Sequence, residues 1–296
     1  MPGSRYAIIE APSVLGLFPR GVERLPDALL DAGLAGALDA RRAGRVVPPA
    51  YDAGRDAATG LLNPTGLRDY AHQLCDATGD VLDGGEVPVV LGGDCSILLG
   101  NLLALNRRGR FGLLFLDGHA DFYQPEAEPN GEAASMDLAL ATGRGPRVLA
   151  DLDGRGPLVG DEDVVVFGRR DAEEAEDAGS QRIEDTAIAV IDLATVRDRG
   201  LERTVGDALE RIDRPDLDGF WIHVDCDVLD DAVMPAVDYR LPGGLSWDEL
   251  EAVLAAAIAT GRAVGLELTI FNPALDTDGV IIRTLVARLA RAIGNV

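Results

Sequence analysis

The sequence predicts an α/β fold, a largely parallel sheet sandwiched between helices, on three observations. Short apolar runs recur along the chain and are continuous rather than alternating, the pattern of strands buried on both faces. Segments with helical spacing lie between many of those runs. The alternation of the two continues from end to end without a linker, internal repeat or low-complexity tract, so a single domain over 1–296 is expected.

The first apolar run is YAIIEA at 6–11. It is followed by GVERLPDALLDAGLAGAL at 21–38, where Leu25, Ala28, Leu29 and Ala32 share one helical face. A second helix is predicted over PTGLRDYAHQLCDATGDVL at 64–82, ahead of the run VPVVLGG at 87–93. Five further strands follow: FGLLFLDG at 111–118, DVVVFG at 163–168, AIAVID at 187–192, GFWIHVD at 219–225 and AVGLELTIF at 263–271. The acidic RRDAEEAEDAG at 169–179 reads as an exposed helix or loop. SWDELEAVLAAAIATG at 246–261 opens with a Ser246 cap and a capping-box Glu249, and GVIIRTLVARLARAIG at 279–294 is a last amphipathic helix.

Composition bounds the function more by exclusion than by selection. The chain is 47% apolar, carries a net charge of −23 and contains no lysine. Such a field repels nucleic-acid phosphates and anionic membranes and favours cationic small molecules and metal ions; it also serves as the solvation device of a salt-adapted protein. No stretch is apolar enough for a membrane span, and the opening MPGSRYAIIEAPS lacks the pattern of a secretory leader. The cysteines Cys75, Cys95 and Cys226 are too few and too scattered for a disulfide framework, so a reducing, cytoplasmic setting is expected.

In parallel sheets ligands bind outside the carboxyl ends of strands, and there the acids collect. FGLLFLDGHADF ends with Asp117, His119 and Asp121 at alternate positions, which share one face if the chain stays extended. GFWIHVDCDVLDD repeats the device with Asp225 and Asp227, and Asp230 follows. So many carboxylates in a half-buried crevice raise one another's pKa at a cost of several kcal/mol. A divalent cation removes that cost, and a set of carboxylates with one imidazole suits Mn²⁺ better than zinc. Bridging carboxylates would hold two ions about 3.5–4 Å apart and generate a hydroxide nucleophile near neutrality.

Cys95, in VVLGGDCSILLG, admits three readings: buried thiol, nucleophile at a helix amino terminus, or metal ligand. His223 reads as a residue that orients a neighbour or satisfies the core, and His72 as a surface or packing residue. Cys75 and Cys226 read as buried hydrophobes, with Cys226 on the opposite face from its flanking acids. No GxGxxG follows a strand, and a phosphate-binding GxxxxGK[ST] loop requires lysine.

GGDCS, DGHADF, HVDCDVLDDAVMPAVDYRLPGGLS and LTIFNPALD resemble, in order and spacing, the four signature regions of the ureohydrolase family of arginases, agmatinases and formimidoylglutamases. The resemblance covers nearly the whole chain. It implies a three-layer α/β/α fold with a sheet of about eight strands, an assembly of three or six copies, and two manganese ions activating a bridging hydroxide that attacks a guanidino or formimidoyl carbon. Carried onto this sequence, one ion would be held by Asp117, Asp121, Asp225 and position 95, the other by Asp117, His119, Asp225 and Asp227. Asp121 would also align the nucleophile.

Three departures from that pattern stand out. Cys95 replaces the ligand histidine of GGDHS, a change that softens one half-site and is reminiscent of arginase-like enzymes acting on N-hydroxylated arginine. Ala134 stands where a histidine proton shuttle is usual, and Ile270 where an acid clamps the guanidinium. Glu267 lies on the wrong strand face to replace that acid. Tyr123, Asn130, Glu132 and Asp238 are candidate substrate contacts. The resemblance implies a hydrolase of a linear amidine. The alternatives are a metal-binding regulatory protein of the same fold, or a hydrolase of another non-peptide C–N bond such as an amide.

Overall fold

The computed structural model describes residues 6–294. Among these, eight strands form one sheet: β1 Tyr6–Glu10, β2 Arg41–Arg45, β3 Val87–Leu91, β4 Gly112–Leu116, β5 Val164–Phe167, β6 Ala189–Ile191, β7 Phe220–Asp225 and β8 Ala263–Thr269. Their spatial order is β2-β1-β3-β8-β7-β4-β5-β6. Every pairing is parallel.

Side chains along the strands alternate between two separate apolar layers, as the two-residue period of a strand requires. Ile8, Leu114, Leu116, Ile222, Val224 and Leu268 face one layer, which is closed by the helices Leu201–Ile212, Trp247–Ala259 and Val280–Ile293. Ile9, Val90, Leu113, Phe115 and Trp221 face the other, closed by Pro64–Asp83 and Leu98–Asn106. The result is the three-layer α/β/α arrangement expected from the family resemblance. The capping box of Trp247–Ala259 is present: Glu249 N–H donates to Ser246 Oγ at 3.2 Å and Ser246 N–H to Glu249 Oε2 at 2.8 Å.

Two elements depart from the sequence reading. β2, RRAGR, is an edge strand paired only with β1, and its polar residues carry none of the apolar signal of a buried strand. It is held instead by Arg42 and Arg45, both ion-paired to the buried Glu10 of β1, the Arg45 pair at 2.7 Å. The first helical segment is divided at Gly33, whose φ of 92° ends Leu25–Asp31 and precedes the short Leu34–Ala37.

The chain order places a switch point at the centre of the sheet. After β3 the chain crosses to β4 and moves outward to β6, then returns to lay β7 and β8 into the gap. The carboxyl ends of β3, β8, β7 and β4 therefore meet side by side, where an α/β sheet forms its ligand crevice. No helix among the described residues is long and apolar enough to cross a membrane.

Candidate metal centre

The same local device ends three of these four strands. Asp94 after β3, Asp117 after β4 and Asp225 at the end of β7 each accept, through Oδ1, the backbone N–H two residues on. The partners are Ser96 at 2.9 Å, His119 at 2.6 Å and Asp227 at 2.7 Å. Such turns bend the chain sharply at the strand end and leave the second carboxylate oxygen for another task.

For Asp94 the task is structural: Oδ2 accepts from Ser13 Oγ at 3.0 Å and Gly16 N at 3.2 Å, anchoring the loop after β1. The preceding glycine is forced by that packing, since a Cβ at Gly93 would lie 1.8 Å from the Ser13 carbonyl oxygen. Asp225 Oδ2 instead meets Cys95, whose thiol donates at 2.8 Å. Asp117 Oδ2 is buried with no hydrogen-bond partner.

Two groups of potential ligand atoms result, each with its atoms within 4.8 Å of one another: Asp117, His119 and Asp227, and Cys95, Asp117, His223 and Asp225. In the first, His119 Nδ1 is 2.9 Å from Asp227 Oδ2 and 3.7 Å from Asp117 Oδ1. Asp227 Oδ1 also accepts from Gly118 N at 3.0 Å. Gly118 has no room for a side chain, since a Cβ there would lie 2.4 Å from Arg170 Nη1. Arg170 in turn donates to the Asp227 carbonyl at 2.7 Å, a fixed positive charge behind this group.

The electrostatics are those of a site with excess negative charge. Burial, reinforced by the Asp227 charge, raises the Asp117 pKa to about 6. Burial also raises Asp121, with Asp117 and Asp137 adding to it, and Asp225, with Asp227 and Asp117 adding to it. For Asp227, burial is outweighed by His119, and the pKa falls. For His119, burial is outweighed by Asp227 and Asp117, and the pKa rises. Cys95 is raised by burial and then by Asp225. Neighbouring carboxylates pushed up together, beside orphaned buried oxygen and nitrogen atoms, are the condition that a bound divalent cation relieves.

Asp121 has φ of 44°, so the chain after β4 is not extended as the alternation of Asp117, His119 and Asp121 assumed. It lies in neither group of potential ligands, and lines the cleft above them with Cys95, His119, Ala134 and Ile270. Asp230 is in neither group, its Oδ1 accepting from Ala232 N at 2.8 Å.

Of the candidate substrate contacts, Tyr123 lines the cleft, whereas Asn130, Glu132 and Asp238 do not. Asn130 is exposed. Glu132 is buried, accepting from Phe18 N at 3.0 Å and from the Tyr239 hydroxyl. Asp238 accepts from Asn272 Nδ2 at 2.7 Å.

The cleft mouth also carries Glu128, Glu174 and Tyr239, which sit in loops and a short acidic helix with no periodic signal to single them out. Ile270 occupies a tight three-residue turn: Phe271 N–H returns to the Thr269 carbonyl at 2.9 Å, and Ile270 has φ of 69°. A β-branched residue there stores about 1–3 kcal/mol of strain, and its side chain is held in the cleft wall. Glu267 is buried on β8 and paired with His223, on the face away from Ile270, as its position in the strand implied. His72 lies outside the site, 3.0 Å from Asp153. Cys75 and Cys226 are buried free thiols packed in opposite apolar layers.

Comparison with known proteins agrees with this fold. Residues 4–294 match the model of the Arginase family. An arginase of Staphylococcus aureus is 28% identical over 279 residues, covering 92% of this chain and 91% of that protein. One of Brevibacillus brevis is 27% identical, covering 98% and 97%. The crystal structure of an arginase from Bacillus cereus superposes with a TM-score of 0.87 at 26% identity, covering 98% of each chain.

Proposed function

The chain belongs to the arginase family, and from that premise we propose that it is a metal-dependent hydrolase of a C–N bond in a linear amidine or guanidino compound, acting as one catalytic domain. The observation that carries the metal part is the pair of donor groups joined at Asp117, whose Oδ2 is buried and unpartnered. Two divalent cations fit them, with manganese the first candidate at Asp117, His119 and Asp227, a hard, oxygen-rich set. The second would lie between Cys95, Asp117 and Asp225. Bound there, the ions would supply Lewis acidity and lower the pKa of a water nucleophile.

The protein's own residues do the rest. Asp117, common to both groups, would tie the two centres together. Asp121, above them in the cleft, is placed to accept a hydrogen bond from the attacking water and orient it. Burial and neighbouring charge raise its pKa, which suits it to hold a proton in transit. Ile270 gives the reacting end of the substrate an apolar wall, matching a group with less charge than an ordinary guanidinium. Glu128 and Glu174 at the mouth favour a positive charge at the distal end. Arginine, hydroxyarginine and agmatine are the first candidates. Assembly as a homotrimer or homohexamer in the cytoplasm belongs to the same reading.

The test is metal analysis of the purified protein, then a screen for urea and ammonia release over guanidino and formimidoyl compounds with added manganese. About two ions per chain with turnover of any amidine is the expected result. Stoichiometric metal without turnover across the panel would replace this reading with that of a metal-binding regulatory protein. Ala134 and Ile270, which leave the cleft without an imidazole shuttle or an acid clamp, are what favour that second reading.

A further inference from the structure

His223 has no part in the chemistry above, yet nothing about it is casual. It is fully buried in β7, directly opposite Glu267 of β8 in the strand register. Its ring stacks on Phe115 with centroids 4.4 Å apart and planes 9° from parallel. Nδ1 is 2.7 Å from Glu267 Oε1. The other Glu267 oxygen accepts from Asn101 Nδ2, and Asn101 Oδ1 accepts from Thr78 Oγ1 at 2.7 Å. An ionised carboxylate only accepts, so in the neutral ring Nδ1 carries the hydrogen and Nε2 presents its lone pair.

That lone pair has no hydrogen-bond partner. It lies 3.9 Å from Asp117 Oδ2, which is also buried and unpartnered. The gap is too long for a hydrogen bond. It is close to the spacing of two donors on one tetrahedral ion, where bonds of about 2.0–2.3 Å put ligand atoms about 3.3–3.8 Å apart. Cys95 Sγ and a carboxylate oxygen of Asp225 complete the set, all within 4.8 Å.

We propose that Cys95, Asp117, His223 and Asp225 form a thiolate–imidazole–dicarboxylate site that selects a thiophilic divalent ion, zinc, cobalt(II) or iron(II), over manganese. Glu267 is the positioning carboxylate behind the imidazole, fixing its tautomer and ring plane. The thiol gives up its proton on binding, so the hydrogen bond it makes to Asp225 is exchanged for two bonds to the ion. The site has the imidazole and two carboxylates of the neighbouring Asp117–His119–Asp227 group and adds one sulfur donor, and that sulfur decides the preference. The inference rests on the metal-dependent reading of this cleft but not on its substrate.

The metal-free full-length protein is titrated with cobalt(II) and followed by absorption and by metal counting. The expected result is an intense thiolate-to-cobalt band, absent from Cys95→Ser. In His223→Gln, whose amide can still donate to Glu267, cobalt affinity at this site falls about 10–100-fold and the ligand-field bands shift. A wild type without the thiolate band, or a His223→Gln protein with unchanged affinity and bands, overturns the proposal. Should His223→Gln not fold, zinc-edge X-ray absorption on His119→Gln decides, because His223 is then the one imidazole left in the cluster. A shell with sulfur and imidazole supports the site, and a shell lacking either overturns it. Neither readout uses turnover, so failure to hydrolyse amidines and failure of this ligand set are separate results.

Discussion

The two groups of potential metal ligands share Asp117 but differ in their donors. Around His119 the donors are two carboxylates and an imidazole at the cleft floor, with the His119 side chain 18% exposed and Arg170 bonded to the Asp227 backbone. Around Cys95 the donors are a thiol, two carboxylates and the fully enclosed His223, braced by Glu267, Asn101 and Thr78. His119 and Asp227 of the first half line the cleft, as do Cys95 and Asp225 of the second, whose His223 is enclosed by the sheet. The comparison teaches that replacing one ligand type need not empty a site, because strand pairing can deliver an imidazole from behind.

The largest effect should follow from removing the residue that both halves use. Asp117→Asn is expected to release both ions and lower kcat/KM at least about 10³-fold, or roughly 4 kcal/mol of transition-state stabilisation. Metal counts on the variant check it, and retention of either ion would show that the halves are not joined at this carboxylate.

Next in size is the pH dependence of the metal-free fold. The Asp117 pKa is raised from the usual 3.8 to about 6, so its contribution to stability is full below about 4 and is lost as pH rises through about 6. The shift corresponds to about 3 kcal/mol. The raised His119 acts in the same direction at higher pH, and the lowered Asp227 opposes both. Metal-free protein should therefore melt roughly 5 °C or more lower at neutral pH than in mild acid. Metal-loaded protein should show the reverse, because the ions need deprotonated ligands. Calorimetry at both pH values with and without metal is the check, and parallel profiles would refute it.

A smaller, sharper change is Cys95→His, which makes the two halves chemically alike. Manganese occupancy should rise towards two per chain with a severalfold gain in manganese-supported activity, at the cost of zinc selectivity. An unchanged manganese count would mean that the thiol was not what discriminated. The smallest expected effect belongs to Ile270→Glu, which alters the cleft wall and neither donor group. KM for guanidinium substrates should fall by about threefold, roughly 0.6 kcal/mol of binding, with the bound metal unaltered. Equal KM values for cationic and neutral amidines in both proteins would break the idea that this wall reads substrate charge.

Much of this molecule is legible one residue at a time. The continuous apolar runs mark seven strands because burial on both faces leaves no polar alternation, and β2 escapes because an edge strand is under no such demand. Asp117, Asp225 and Asp227 stand out as acids placed directly after apolar strands. Cys95 stands out by its place in GGDCS. Asn130, Glu132 and Asp238 are candidates from the family resemblance alone, and loop conformation places all three outside the cleft lining.

What the linear sequence determined is the period of the buried strands and longer helices, the acid-rich strand ends and the glycine at 93, where no side chain fits. What the tertiary structure alone decided is which of those ends meet. Cys95 and Asp225 are 130 residues apart and become partners because the chain lays β8 and β7 between β3 and β4. His223 and Glu267 acquire their meaning only from the β7–β8 register, which sets one opposite the other on a face with no solvent to satisfy them. Local periodicity is written in neighbours along the chain, whereas ligand sets are written in strand order and register, and these depend on every element at once.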